Sequence, residues 1–212
     1  MNLSHGSRRG VFLDRDGTVI AEKHYLGDPA GVSILPGATA GLRRLRDLGY
    51  RLVILTNQSG VGRGYFRQED VDAVHARLGA LLADEGVRLD GIYFCPHRPE
   101  DHCACRKPNP GLVHSACRDL DLDCNSSIMI GDKASDIELG RRCGMRTVLV
   151  ATGHEATETC RADVVVGNLE EAAAWIAGEA AGVLTTHDHP ASQAAPAEAP
   201  ALAPAASRSR LP

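Results

Sequence analysis

Short apolar runs alternate with amphipathic stretches along most of the chain. "GVFLD" (10–14) reads as a buried strand. "PGATAGLRRLRDLG" then sets Ala38, Leu42, Leu45 and Leu48 at helical spacing between Pro36 and Gly49. "YRLVILT" (50–56) is a second strand, and Val71, Val74, Leu78, Leu81 and Leu82 mark one face of a second helix. "DGIYFC" (90–95) predicts a third strand, "PGLVHSACRDL" a helix, and "SSIMIGD" (126–132) a fourth strand. "KASDIELGRRCG" is again helical, "MRTVLVA" and "ADVVV" are strands, and "LEEAAAWIAG" is a closing helix. Continuous apolar strands alternating with helices form βαβ units. The expected fold class is therefore α/β, a Rossmann-like doubly wound parallel sheet covered on both faces.

From about residue 183 the pattern stops. "THDHPASQAAPAEAPALAPAASRSRLP" holds five of the eleven prolines and little that can pack. The expected organisation is one domain over 1–182 and an Ala/Pro-rich disordered tail over 183–212, in which His187 and His189 are solvated. A chain of 212 residues with net charge −4 and pI near 6.1 offers no electrostatic case for a nucleic-acid partner. No polybasic run suggests a membrane surface, and no apolar stretch approaches the roughly 20 residues that span a bilayer. "MNLSHGSRRG" lacks the apolar core of a secretory signal, so a cytoplasmic protein is expected. A monomer is expected too, because no apolar stripe or strand demands a partner.

In open α/β sheets ligands gather at the carboxyl ends of strands. The first strand ends in "DRDGT" (Asp14, Asp16), the second in "TNQSG" (Thr56), the third in a loop leading to Lys107, and the fourth in "GDKASD" (Asp132, Asp136). One aspartate at such a place is more often a helix cap or turn former. Together these groups suit phosphoryl transfer. Carboxylates suit Mg²⁺, and the reaction needs a nucleophile, positive charge on the phosphoryl oxygens and a proton for the leaving group.

The third-strand loop is "CPHRPEDHCACRKP" (95–108), holding three of the seven cysteines. Clustered cysteines in a reducing compartment are usually metal ligands or redox groups, and a disulfide is the weaker reading. Cys117, Cys124, Cys143 and Cys160 are scattered, as small apolar fillers are. Cys95/His97 and Cys103/Cys105 are pairs two residues apart, which in extended chain project to one side and can each grip one metal. Four N/S ligands make a closed, structural zinc site. By spacing alone His102 rivals His97.

"FLDRDGT", "LTNQSG", "RKPNP" and "GDKASD", in this order, resemble the four motifs of the haloacid dehalogenase-like (HAD) phosphatases. The resemblance implies that Asp14 is a nucleophile forming an aspartyl phosphate and that Asp16 is general acid and then base. Thr56 and Lys107 would hold the phosphoryl group. Asp14, the carbonyl of Asp16 and Asp132 would hold Mg²⁺, with Asp136 supporting from behind. "CPH…CxCRKP" resembles the zinc-loop branch, whose members act on heptose bisphosphate or histidinol phosphate. There Cys95, His97, Cys103 and Cys105 would bind Zn²⁺.

About 40 residues separate Asp14 from Thr56 and about 50 separate Thr56 from Lys107, so the domain is expected to be essentially capless. Specificity then falls to short loops, "AEKHY" (21–25), "NQSGVGRGYF" (57–66) and the zinc loop, with Glu22, Tyr25, Asn57, Gln58, Ser59, Arg63, Arg106 and Lys133 as candidate substrate contacts. Arg63 and Arg106 are expected to clamp a second phosphate. "NQSGVGRGYF" resembles the heptose-bisphosphate side of the branch, whereas the histidinol-phosphate side is more similar to "NQDG". The expected partner is a small phosphorylated sugar, a heptose 1,7-bisphosphate that loses its 7-phosphate. Histidinol phosphate is the alternative, and an idle zinc-containing binding module the remote one.

Overall fold

The computed structural model describes residues 8–153, 161–180 and 207–209. Cys160, His187 and His189 lie outside the described residues. The strands are β1 (Arg8–Leu13), β2 (Arg51–Asn57), β3 (Gly91–Cys95), β4 (Leu122–Gly131), β5 (Arg146–Val150), β6 (Val164–Val166) and β7 (Ser207–Ser209). The helices are α1 (Ala38–Asp47), a single turn α2 (Ser59–Gly62), α3 (Gln68–Asp84), α4 (Gly111–Leu120), α5 (Ala134–Arg142) and α6 (Leu169–Ala180). The strand order is β6-β5-β4-β1-β2-β3-β7, with every pairing parallel except the antiparallel β3·β7.

Alternation along the strands builds two cores. Val11 and Leu13, Leu52 and Ile54, and Ile128 and Ile130 face one side, where α1, α3 and α6 supply Leu42, Leu78 and Ile176. Phe12, Val53, Leu55 and Met129 face the other, where α4 and α5 supply Leu112, Val113, Ala116 and Leu139. Cys117, Cys124 and Cys143 pack against this second core, with the sulfurs of Cys117 and Cys124 2.8 Å apart. The strands are thus buried on both faces, as their continuous apolar runs require. Among the described residues no helix is long and apolar enough to cross a membrane.

One stretch departs from expectation. Ser207–Ser209 falls inside the segment expected to be a disordered tail, yet it forms the edge strand β7. Its sequence has no apolar alternation. The pairing is held by the exposed ladder of β3 and by side chains: Arg208 lies over the Tyr93 ring, and Ser209 is buried. Tertiary partners here override a composition that disfavours a strand.

Candidate active site

Register brings the reactive residues together. Leu13 of β1 lies level with Ile54 of β2 and Ile130 of β4, so Asp14, Thr56 and Asp132, one or two residues further on, come to one rim. Asp14 there is buried, and its Oδ1 accepts from Lys107 Nζ at 2.8 Å and from the Arg15 N–H at 2.7 Å. Lys107 is buried as well. Its ammonium also meets Asp136 Oδ1 at 2.7 Å and the Leu55 carbonyl at 2.8 Å. Burial alone would lower the lysine's pKa, but the charges of Asp136 and Asp14 outweigh it and raise the pKa above its usual value.

Asp16 sits in a different environment from Asp14. Arg15 Nε and Nη2 donate to its two oxygens at 3.1 Å each, and Gln58 Nε2 donates to Oδ2 at 2.9 Å. Thr56 Oγ1 lies 3.5 Å from the same oxygen and accepts from Gln58 at 2.9 Å. Burial raises the pKa of Asp16 despite the lowering pull of Arg15, and the charge of Asp14 adds to the rise. The two carboxyls, two residues apart, thus meet different surroundings: Asp14 is ion-paired to Lys107, while burial favours a proton on Asp16, as a general acid requires.

Asp14, Asp132 and Asp136 offer ligand oxygens within 4.8 Å of one another. Asp136 is already occupied, by Lys107 on one oxygen and by the Lys133 N–H at 3.1 Å on the other. Asp132 is not: Oδ1 accepts from Thr18 at 3.3 Å, and the buried Oδ2 has no partner. A Cβ on Gly17, which has φ +83°, or on Gly153 would overlap this carboxylate. Burial, and then the charge of Asp14, push the pKa of Asp132 up to about 7; burial pushes that of Asp136 up to about 6. An orphan oxygen among crowded, oxygen-only donors fits a hard divalent cation such as Mg²⁺. That cation would offset both the cost of burying these charges and the repulsion from Asp14.

The loop after β3 forms a second cluster. Cys95 Sγ lies 3.5 Å from Cys103 Sγ and 3.6 Å from His97 Nδ1, while Cys105 Sγ lies 3.3 Å from His97 Nδ1 and 3.6 Å from Cys103 Sγ. Tetrahedral zinc with Zn–S near 2.3 Å has ligand–ligand edges of about 3.7 Å, whereas a disulfide needs about 2.05 Å. The four groups therefore fit Zn²⁺ and are not disulfide-bonded. His102, in a left-handed turn, is not in the cluster. The thiol of Cys105 is pulled down to about 5, chiefly by its hydrogen bond with Cys95 and then by His97 and Cys103. The same loop is pinned to the catalytic rim, since Asn57 accepts from the Lys107 N–H at 3.0 Å and donates to the Lys107 carbonyl at 3.2 Å.

A cavity of about 720 Å³ opens above Asp14 and Asp16, and Glu22, Tyr25, Thr56, Asn57, Gln58, Ser59, Arg106, Lys107 and Lys133 all line it. Glu22 and Lys133 are paired across it at 2.8 Å. Arg63 is not brought in: its guanidinium turns to Glu100, 3.7 Å away, because the α2 turn carries it off the rim. Asn57 and Gln58 spend their amides on Lys107 and Asp16. Lys23 and His24, in the 21–25 loop expected to contribute specificity, line the cavity too, and so does Arg15, which was not singled out because simple alternation along the strand misleads.

Fold and site together define a HAD-like hydrolase. The HAD-hydrolase-like family model matches residues 104–172. The D-glycero-β-D-manno-heptose-1,7-bisphosphate 7-phosphatase of Pasteurella multocida is 40% identical over 158 residues, covering 71% of this chain and 86% of the relative. The D-glycero-α-D-manno-heptose-1,7-bisphosphate 7-phosphatase of Photorhabdus laumondii is 36% identical, over 79% of this chain and 96% of its own. Among solved structures, the D,D-heptose 1,7-bisphosphate phosphatase of B. bronchiseptica, crystallised with magnesium and phosphate, superposes with a TM-score of 0.75 at 32% identity, covering 81% of this chain and 99% of its own. The chain belongs to the heptose-1,7-bisphosphate 7-phosphatase family of HAD-like hydrolases.

Proposed function

We propose that the protein removes the 7-phosphate of D-glycero-D-manno-heptose 1,7-bisphosphate through an aspartyl phosphate on Asp14. The observation that carries this reading is the contrast between Asp14, ion-paired to Lys107, and Asp16, whose pKa burial raises. A carboxylate oxygen of Asp14 attacks phosphorus, and the bond from phosphorus to the C7 oxygen breaks. Asp16 gives its proton to that oxygen, and the alcohol leaves. Asp16, now ionised, takes a proton from the water that attacks the acyl phosphate, and inorganic phosphate departs with Asp14 restored. Lys107 offsets the charge of the nucleophile and the transferring group, and the Thr56 hydroxyl is placed to meet a phosphoryl oxygen.

Mg²⁺, held by Asp14, the Asp16 carbonyl and Asp132, would supply positive charge to the phosphoryl oxygens. Zn²⁺ on Cys95, His97, Cys103 and Cys105 would lock the loop that aims Arg106 and Lys107. Arg106, with Lys23, offers positive charge to the anomeric phosphate. The names of the relatives favour heptose bisphosphate over histidinol phosphate. The test is Mg²⁺-dependent phosphate release from the two compounds side by side, with Asp14→Ala as the blank. A large excess in kcat/KM for the bisphosphate is expected; preference for histidinol phosphate would keep the mechanism and discard the substrate.

A further inference from the structure

His75 lies on the buried face of α3 with Val71, Val74 and Leu78, and the proposed chemistry makes no use of it. An imidazole buried this completely is costly unless both nitrogens are paired. Both are. Arg15 Nη1 lies 3.0 Å from Nε2, and Ser209 Oγ lies 2.6 Å from Nδ1. A guanidinium can only donate, so Nε2 accepts and the ring proton sits on Nδ1, donating to Ser209. The Ser209 hydroxyl in turn donates to Asp72 Oδ1 at 2.7 Å. At the other end Arg15 closes its fork on both oxygens of Asp16. The direction of every hydrogen bond in this chain is therefore set, from Asp16 to the last described strand.

That strand reaches the relay by adding to the sheet edge. Ser209, Arg208 and Ser207 pair with Ile92, Tyr93 and Phe94. Arg208 stacks over Tyr93 at 5.4 Å and lies 3.9 Å from Asp119, whose carboxylate also accepts from the Tyr93 hydroxyl.

We propose that residues 207–209 dock on β3 and, through Ser209, His75 and Arg15, position the Asp16 carboxyl for proton transfer. Ser209 and His75 are positioning residues, since neither touches the cavity above Asp14; the assignment rests on the reading of Asp16 as general acid and base. All three guanidinium nitrogens of Arg15 are engaged, two by Asp16 and the third by His75, so loss of the His75 contact frees the fork to swing. Proton transfer tolerates such misplacement poorly.

The test uses the full chain with Ser209→Ala, Ser209→Thr and Arg208→Glu. The Thr variant keeps the hydroxyl, and the Glu variant sets a like charge beside Asp119. Hydrogen exchange over residues 91–95 reads the docking, and steady-state kinetics with Mg²⁺ read the positioning. In the unaltered chain, slow exchange of the β3 edge amides is expected, and fast exchange in Arg208→Glu. Loss of one buried hydrogen bond should cut kcat about fivefold in Ser209→Ala with KM unchanged within about twofold, and Ser209→Thr should restore it. Fast exchange at the β3 edge of the unaltered chain overturns the docking. Unchanged kcat in Ser209→Ala overturns the positioning. An unaltered chain with a protected edge that hydrolyses no phosphate ester overturns the assigned function and the role of Asp16, and the docked strand stands.

Discussion

Asp132→Asn should stabilise the Mg²⁺-free protein, and by more at pH 8 than at pH 5. The folded protein holds Asp132 at a pKa of about 7 against an ordinary 3.8, with burial as the first cause and the charge of Asp14 as the second. Between these values the folded state binds a proton that the unfolded chain has released, so stability falls as pH rises through this window. Each unit is worth about 1.4 kcal/mol, so the full penalty above pH 7 is roughly 4 kcal/mol. About 2.5 kcal/mol of it develops between pH 5 and pH 8. Asparagine resembles the protonated acid in shape and never acquires the charge. Its own packing cost is the same at both pH values and cancels in the comparison. For a domain of this size that corresponds to a gap in Tm that widens by about 5–10 °C between pH 5 and pH 8. Calorimetry on zinc-replete, Mg²⁺-free protein at both pH values measures it. Added Mg²⁺ should then raise the Tm of the unaltered protein at pH 8, by mass action on the folded state, and leave that of Asp132→Asn unmoved. A Tm gap that does not change with pH, or a variant that responds to Mg²⁺ as fully as the parent, would refute the reasoning.

Other outcomes follow from the same geometry. Lys107→Met should cost about 3–5 kcal/mol in chemical denaturation, because it strands the carboxylates of Asp14 and Asp136 in a buried site, and should abolish phosphate release. Elemental analysis should find one zinc per chain, and none in Cys103→Ser, which should also unfold at lower temperature and turn over more slowly because the loop carrying Lys107 is released. Arg106→Ala should raise KM for the bisphosphate substantially, whereas Arg63→Ala should leave it nearly unchanged, because Arg63 faces Glu100 outside the cavity.

The rim was legible because topology does most of the selecting. Once "GVFLD", "YRLVILT", "DGIYFC" and "SSIMIGD" read as parallel strands, their carboxyl ends must meet, and Asp14, Thr56, Lys107 and Asp132 are what those ends carry. Less legible was where a side chain points after the strand stops. Asn57 and Gln58 line the cavity as substrate contacts would, but their amides are already engaged by Lys107 and Asp16. Arg63 carries a positive charge in a loop beside the rim, which suggested a clamp, but the short α2 turn carries it toward Glu100. Arg15 lies between two aspartates and by alternation should face away from both; it curls back onto its neighbour because burial leaves its charge no other partner. Its link to His75 and Ser209 joins residues 60 and 134 positions apart, one on the apolar face of a helix and one in a polar tail, and no local pattern marks such a pairing.

The account stands or falls on which phosphate leaves. Phosphorus NMR of D-glycero-D-manno-heptose 1,7-bisphosphate incubated with the Mg²⁺-supplied protein follows both groups at once. The C7 phosphate signal should disappear into inorganic phosphate while the anomeric phosphate persists, and Asp14→Ala should leave both untouched. Loss of the anomeric phosphate, or release that survives Asp14→Ala, would contradict it.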